Sequence, residues 1–329
     1  MIIAEISQAH DGSLGIAHSY IDALKDTGID AVKFQTHIAA AESSAYEPFR
    51  VKFSYEDQTR FEYWQRMEFT ELQWKELKDH CEVCGLEFIS SPFSIAAVNL
   101  LEAIGVTRYK VGSGEVNNLL LLERIAQTGK PVIVSSGMSS FTELDSTVRF
   151  LKTKNIPTSI LQCTTAYPTT PAQWGLNVIS ELKNRYGLPV GFSDHSGEII
   201  ACLAAAALGA ELFEFHVVFN KLMFGPDAKA SIEIHEVKQM VSGIKSIQTS
   251  LAQLVDKEDN DSFTDLKTMF EKSLAVNRDL SKGHILTFTD LEAKKPKGYG
   301  INAADFQTLI GKPLLNDKKQ WDFLTSNDV

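Results

Sequence analysis

Short apolar runs alternate with longer amphipathic stretches along most of the chain, and this rhythm restricts the fold more than any other feature. A repeated strand–helix order builds parallel sheets, because a parallel strand needs a crossover to return. Strands are predicted at Ile2–Ile6, Ala31–Phe34, Glu87–Ser90, Arg108–Val111, Pro131–Ser135, Ser159–Gln162, Val190–Phe192 and Leu212–His216. Intervening helices close on Gly28, Gly105, Gly129 and Gly209, glycine being the residue that accepts left-handed backbone after a helix. The final helix of the series spans Ile234–Leu254. These strands in this order favour an α/β fold of the closed (β/α)8 TIM-barrel type over an open doubly wound sheet.

Two stretches interrupt the rhythm. Between the second and third strands, His37 to Phe69 forms a long connection rich in aromatic residues. A connection of that length after a barrel strand is expected to act as a lid or substrate wall. The second is Asp256–Asp265, an acidic, turn-rich segment with the composition of a linker. Boundaries are therefore set at 1–256 for the barrel, 257–268 for the linker and 269–329 for a small C-terminal domain. From Lys272 onward, nine Lys and Arg face seven Asp and Glu, a net +2 that leaves −12 on the rest.

A formal net charge of −10 speaks against nucleic acid or an anionic membrane surface as partner, since both need a clustered basic face. It leaves room for a small anion held by a few lysines in a concave site. No basic leader followed by a long apolar run is seen, so no signal peptide or membrane span is expected. The four cysteines are scattered, as in a cytoplasmic protein. Cys81 and Cys84 form a C-x-x-C at the end of a helix predicted over Phe69–Cys84, but no second such pair exists to complete a zinc site.

Polar residues recur two apart at the strand ends: Lys33 and Gln35, Ser193 and His195, Glu214 and His216, with Glu5 and Lys110 on two further strands. Alternate strand residues face the same way, and unpartnered polar groups inside a barrel are costly. Their coincidence at one end, where barrels carry out their chemistry, points to a site. Gly112-Ser113-Gly114-Glu115 and Ser135-Ser136-Gly137 follow two of these strands, and small residues there let backbone N–H groups approach an anion. Together with Lys33 and Lys110 they suggest an anionic substrate. His195 and His216 end neighbouring strands and are the candidate ligands of a divalent ion. The other six histidines, His18 and His80 among them, show no such arrangement in the sequence, although His10 and His37, just after the first and second strands, are placed to touch substrate.

Taken together, these residues resemble the sialic acid synthase family, which includes legionaminate and pseudaminate synthases. The resembling segments are Ala31-Val32-Lys33-Phe34-Gln35-Thr36, Ser91-Pro92-Phe93, Tyr109-Lys110-Val111-Gly112-Ser113-Gly114-Glu115, Ser135-Ser136-Gly137-Met138, Tyr167-Pro168, Gly191-Phe192-Ser193-Asp194-His195, Glu214-Phe215-His216 and Gly225-Pro226-Asp227. The stretch Leu280–Thr287 and Ile310-Gly311-Lys312 resemble the antifreeze-like (SAF) domain of that family. The resemblance implies an enzyme condensing phosphoenolpyruvate with an N-acyl amino sugar. Lys33, Ser91, Ser113, Ser135 and Ser193 would bind substrate at the phosphate end, with Lys110 beside them. Glu115 would move a proton, with Glu5 and Lys110 as further catalytic groups. Gln35, Tyr167 and Asp227 would orient the sugar, and Lys295 would reach it from the tail. His195 and His216 would hold Mn²⁺, or Mg²⁺ or Co²⁺ in its place. A domain-swapped homodimer is implied as well. Departures fall at the sugar end: Lys295 stands where many bacterial members have Arg, and Thr165 where several have Asn.

Alternatives that the residues leave open are a different phosphoenolpyruvate-dependent aldose synthase, a Schiff-base aldolase acting through Lys110, and a catalytically dead sugar-binding protein.

Overall fold

The computed structural model describes residues 1–329. The chain divides into two compact units, Met1–Gln253 and Leu254–Val329. In the first, elements run β1 (Ile2–Glu5), α1 (Leu14–Leu24), β2 (Ala31–Thr36), α2 (Ala39–Glu42), α3 (Arg60–Met67), α4 (Glu71–Val83), β3 (Glu87–Pro92), α5 (Ile95–Ile104), β4 (Tyr109–Val111), α6 (Leu119–Ala126) and β5 (Val132–Ser135). They continue as α7 (Phe141–Thr153), β6 (Thr158–Cys163), α8 (Asn177–Tyr186), β7 (Val190–Asp194), α9 (Ile200–Ala207), β8 (Phe213–Val218), β9 (Ile232–Glu233) and α10 (Ile234–Ala252). Strands β1 to β8 pair in sequence order, all parallel, and β1 also pairs β8, closing the barrel. The short β9 adds to β8. No helix is long and apolar enough to cross a membrane.

The alternation of strand side chains sorts this unit into two cores. Outward residues such as Ala4, Val32, Phe34, Phe88 and Phe215 meet the helices in one large cluster. Inward residues Ile3, Ala31, Ile89, Ile133, Leu161 and Leu212 fill the barrel floor. Each fully buried Leu, Ile or Phe stabilises by about 1.5–3 kcal/mol. Two residues on, the inward positions become Glu5, Lys33, Ser91, Ser135, Cys163 and Glu214, so an ionic layer lies directly above the apolar one.

Helix ends follow the local chemistry. Thr70 caps α4 and Ser140 caps α7, each in a reciprocal capping box with Gln73 and Glu143. The stretch between β2 and β3, which lacks a clear period in the sequence, is not structureless: α3 starts on a capping box between Thr59 and Glu62. Tyr63, Trp64 and Met67 of α3 bury against Ala39 of α2, with Phe49, Phe53 and Phe61 packed around them.

The second unit carries α11 (Thr264–Phe270) and the antiparallel pair β10 (Ser273–Val276) and β11 (Leu291–Lys294). Its own core comprises Leu274, Val276, Leu280, Leu286, Leu309, Leu314 and Leu324. Helix α11 begins inside the segment 257–268 that composition marks as linker, so the acidic run ends in ordered helix rather than in coil.

Candidate active site

The ionic layer gathers side chains from distant strands through register. Glu5 lies beside Lys33 on β2 and beside His216 on β8. The Lys33 ammonium contacts the Glu5 carboxylate, stands 3.8 Å from Glu214 and donates to Ser91 Oγ at 3.3 Å. Lys110 Nζ is 3.3 Å from Glu214 Oε1, which also accepts the Ser193 hydroxyl at 2.9 Å. Two ammonium groups thus face two carboxylates, all nearly solvent-free. Burial pulls Lys33 down to about 7 although Glu214 opposes it. Burial also raises Glu214, but Lys110 and Lys33 outweigh it and bring the carboxyl to about 2. Glu214 Oε2 nevertheless has no hydrogen-bond partner. The layer is balanced in charge and holds an open acceptor. Neither lysine is the free ammonium that their sequence positions suggest, because the carboxylates that neutralise them come from β1 and β8.

Above the layer opens a cleft of about 370 Å³. Of the residues singled out from the sequence, Gln35, Ser113, Glu115, Tyr167, His216 and Asp227 line it. Lys33, Lys110, Ser91, Ser135, Ser193 and Glu5 are buried in or beside the layer beneath, and His195 is buried next to His216. Lys295 belongs to the second unit, its ammonium 4.8 Å from the Phe270 ring centroid. Glu115 sits on a 3₁₀ turn after β4, accepts from Asn118 Nδ2 at 2.7 Å, and has its pKa raised by burial. The turns after β4 and β5 touch: Gly137 takes φ +30°, and a Cβ there would fall on the Ser113 hydroxyl. Only glycine permits that approach.

At the rim, the ring centroids of His195 and His216 lie 5.1 Å apart, and the Tyr167 ring packs against His195 at 4.3 Å, tilted by 40°. The Thr164 carbonyl is 3.0 Å from His195 Nδ1 and accepts its proton, which leaves Nε2 with a free lone pair. His216 Nδ1 is 4.0 Å from Asp227, and burial pulls its pKa to about 3, so the ring is neutral. Burial also lowers His195, but the nearby Cys163 thiol outweighs this and raises it. Two buried imidazoles with unengaged nitrogens, beside Asp227, are a donor set that fits a divalent transition ion.

Several neighbours carry no obvious signal in the sequence. Arg50, from the connection between β2 and α3, binds Asp227 at 2.7 Å and lies 4.2 Å over the Tyr167 ring. His37 is sandwiched between Trp64 and Phe93 at 3.6 and 4.5 Å, and binds Glu42 and Gln8. Gln8 in turn donates to Gln35 at 2.5 Å. With Glu42, Glu47, Arg60 and Trp64 also lining the cleft, the connection forms one of its walls. Among these, the aromatic density of 37–69 and the place of His37 just after the second strand are legible in the sequence.

The NeuB family model matches residues 20–256. The chain is 34% identical over 328 residues to the N,N'-diacetyllegionaminic acid synthase of Campylobacter jejuni, covering 97% of both chains. It is 34% identical to the human N-acetylneuraminate-9-phosphate synthase, covering 95% of this chain and 88% of that one. Among solved structures, the N-acetylneuraminic acid synthetase of Leptospira borgpetersenii, in complex with citrate, superposes with a TM-score of 0.72 at 31% identity, over 80% of this chain and 89% of that one. Likeness of this extent, carried by a closed barrel with a charged interior, places the chain in the NeuB family, as an enzyme of the sialic acid synthase type.

Proposed function

We propose that the enzyme is a nonulosonic acid synthase condensing phosphoenolpyruvate with an N-acetylmannosamine-type amino sugar, releasing a nine-carbon 2-keto-3-deoxy acid and inorganic phosphate. The observation that carries this reading is the ionic layer of Lys33, Lys110, Glu5 and Glu214 beneath a polar cleft. Lys33 and Lys110 would hold the phosphate, assisted by the hydroxyls of Ser91, Ser113, Ser135 and Ser193. Charge-assisted bonds of this kind contribute about 1.5–3 kcal/mol each. Gln35, Tyr167 and Asp227 face the acceptor sugar, and Lys295 of a partner chain would supply a further contact to it.

C3 of phosphoenolpyruvate attacks the aldehyde carbon of the sugar, and the aldehyde oxygen takes up a proton. Water adds to C2 and gives its proton to Glu115. Phosphate then leaves with the bridging oxygen and takes the C2 hydroxyl proton with it as C2 becomes a ketone. A divalent ion, Mn²⁺ in the first instance, held by His195 and His216 would polarise the aldehyde oxygen. Two such chains would form a homodimer in which the C-terminal unit, read as a SAF domain, completes the partner's sugar pocket. Leu266, Met269 and Phe270 are exposed along one face of α11, the kind of apolar stripe that an assembly covers.

The test supplies phosphoenolpyruvate, Mn²⁺ and a panel of N-acyl mannosamines with and without 6-phosphate, and reads product mass. Exhaustive chelation should abolish turnover and Mn²⁺ restore it. Lys110→Ala should raise KM for phosphoenolpyruvate far more than KM for sugar. Full activity after chelation contradicts the role of the histidines, and an equal effect on both substrates contradicts that of Lys110. Substrate trapping by borohydride would instead identify a Schiff-base aldolase.

A further inference from the structure

Outside the barrel mouth, the packing of α1 against α4 assembles a second set of metal-type side chains. His18 and Asp22 are four residues apart on α1, and His80 and Cys84 are four apart at the end of α4. Helix positions four apart share a face. The core stripes run alongside: Ala17, Tyr20, Ile21 and Leu24 on α1, Trp74, Leu77 and Cys81 on α4. The C-x-x-C pair is therefore split. Cys81 points into the core, where burial pushes its thiol up, while Cys84 stays partly exposed. Of its companions, His80 lies one turn back on the same helix, while Asp22 and His18 come from α1, more than sixty residues away in the chain, which is why the sequence signals no site there.

Ligand atoms of Asp22, His80 and Cys84 all lie within 4.8 Å of one another. His80 Nε2 is 3.4 Å from Asp22 Oδ1, and its Nδ1 is 2.8 Å from His18 Nδ1. Two like ring nitrogens at that separation must share one proton.

We propose that Asp22, His80 and Cys84 bind one zinc ion on the outer wall of the barrel, with His18 accepting the His80 Nδ1 proton. That hydrogen bond fixes the tautomer that leaves His80 Nε2 as ligand, the usual support of a metal-bound imidazole. Thiolate and imidazole donors favour zinc over magnesium or calcium. One carboxylate and one thiolate neutralise the ion, and the Cys84 proton passes to solvent on binding. Zinc–ligand distances of about 2.0–2.3 Å require the three groups to close slightly, which rotation of the half-exposed Asp22 and Cys84 side chains allows. The ion would pin α1 to α4, and with them the turns that enter β2 and β3. This site does not depend on the reading of the barrel mouth.

The test strips the full-length enzyme of metal, then titrates it with Zn²⁺ and separately with Co²⁺. Wild type should retain one zinc equivalent that His195→Ala and His216→Ala also retain, and that Cys84→Ser and His80→Gln lose. Cobalt-loaded wild type should show thiolate-to-cobalt charge-transfer absorption that disappears in Cys84→Ser and persists in Cys163→Ser. Far-UV circular dichroism checks that each variant is folded, and Asp22→Asn, a surface change, gives an independent loss of affinity. Zinc retention and absorption unchanged by Cys84→Ser, or absorption lost only in Cys163→Ser, would overturn the proposal, as would the absence of any such zinc in wild type.

Discussion

Glu115 stands half-buried on the turn after β4 with one carboxylate oxygen bound by Asn118. Burial raises its pKa above the usual 4.5, so it is protonated over a wider acid range than an ordinary glutamate. As the acceptor of a proton from water it must be ionised. The acid limb of the kcat/KM profile is therefore expected above pH 4.5, with rate rising as pH rises through the shifted pKa. Glu115→Gln should lower kcat by roughly 10²–10⁴-fold, the range of general base catalysis, and remove that limb. A variant that keeps the limb would assign it to another group. At this scale the family resemblance singles out Glu115, whereas nothing in the sequence singles out Arg50. A lone arginine in an aperiodic stretch becomes meaningful only when folding sets it on Asp227 and Tyr167.

Strand β8 contributes Leu212 next to its start, then Glu214 and His216, to floor, ionic layer and rim in turn. Glu214 is the hub of the layer, touching Lys33, Lys110 and Ser193. Removing one member of a buried ion pair leaves the other charge unmatched, at about 3–5 kcal/mol. Glu214→Gln is thus expected to destabilise the barrel by that amount in urea unfolding at neutral pH. Because the Glu214 carboxyl is depressed from 4.5 to about 2, its stabilisation is present above pH 4.5 and fades as pH falls toward 2. Wild type should lose stability across that window and the variant should lose less. A neutral-pH change under about 1 kcal/mol would mean that the layer re-pairs around the gap. Strands were readable because a floor of apolar residues and a polar layer two residues on leave a period-two trace. Helix α3 was harder, since its signal is the short Thr59–Glu62 box amid aromatics whose burial is decided by packing on α2.

For the whole molecule, the proposed dimer leads to a complementation experiment. The exposed acidic run before α11 has the reach of a tether, and exchange of identical units between two chains gives a closed two-fold assembly. Chains carrying Glu115→Gln and chains truncated near Asp261 are each expected to be inactive, and co-refolding them should restore part of the activity. Mixed dimers that form and stay dead would show that the C-terminal unit serves its own barrel. The sequence by itself determined the strand order, the placement of ionisable residues at one end of the barrel and the separation of an acidic body from a mildly basic tail, because these follow from local periodicity and composition. Tertiary structure alone decided that Lys33 and Lys110 are matched by Glu5 and Glu214, that Arg50 reaches Asp227, and that Cys84 faces His80 and Asp22 instead of pairing with Cys81. Each of those outcomes depends on barrel register or helix packing, which joins residues far apart in the chain and leaves no periodic mark along it.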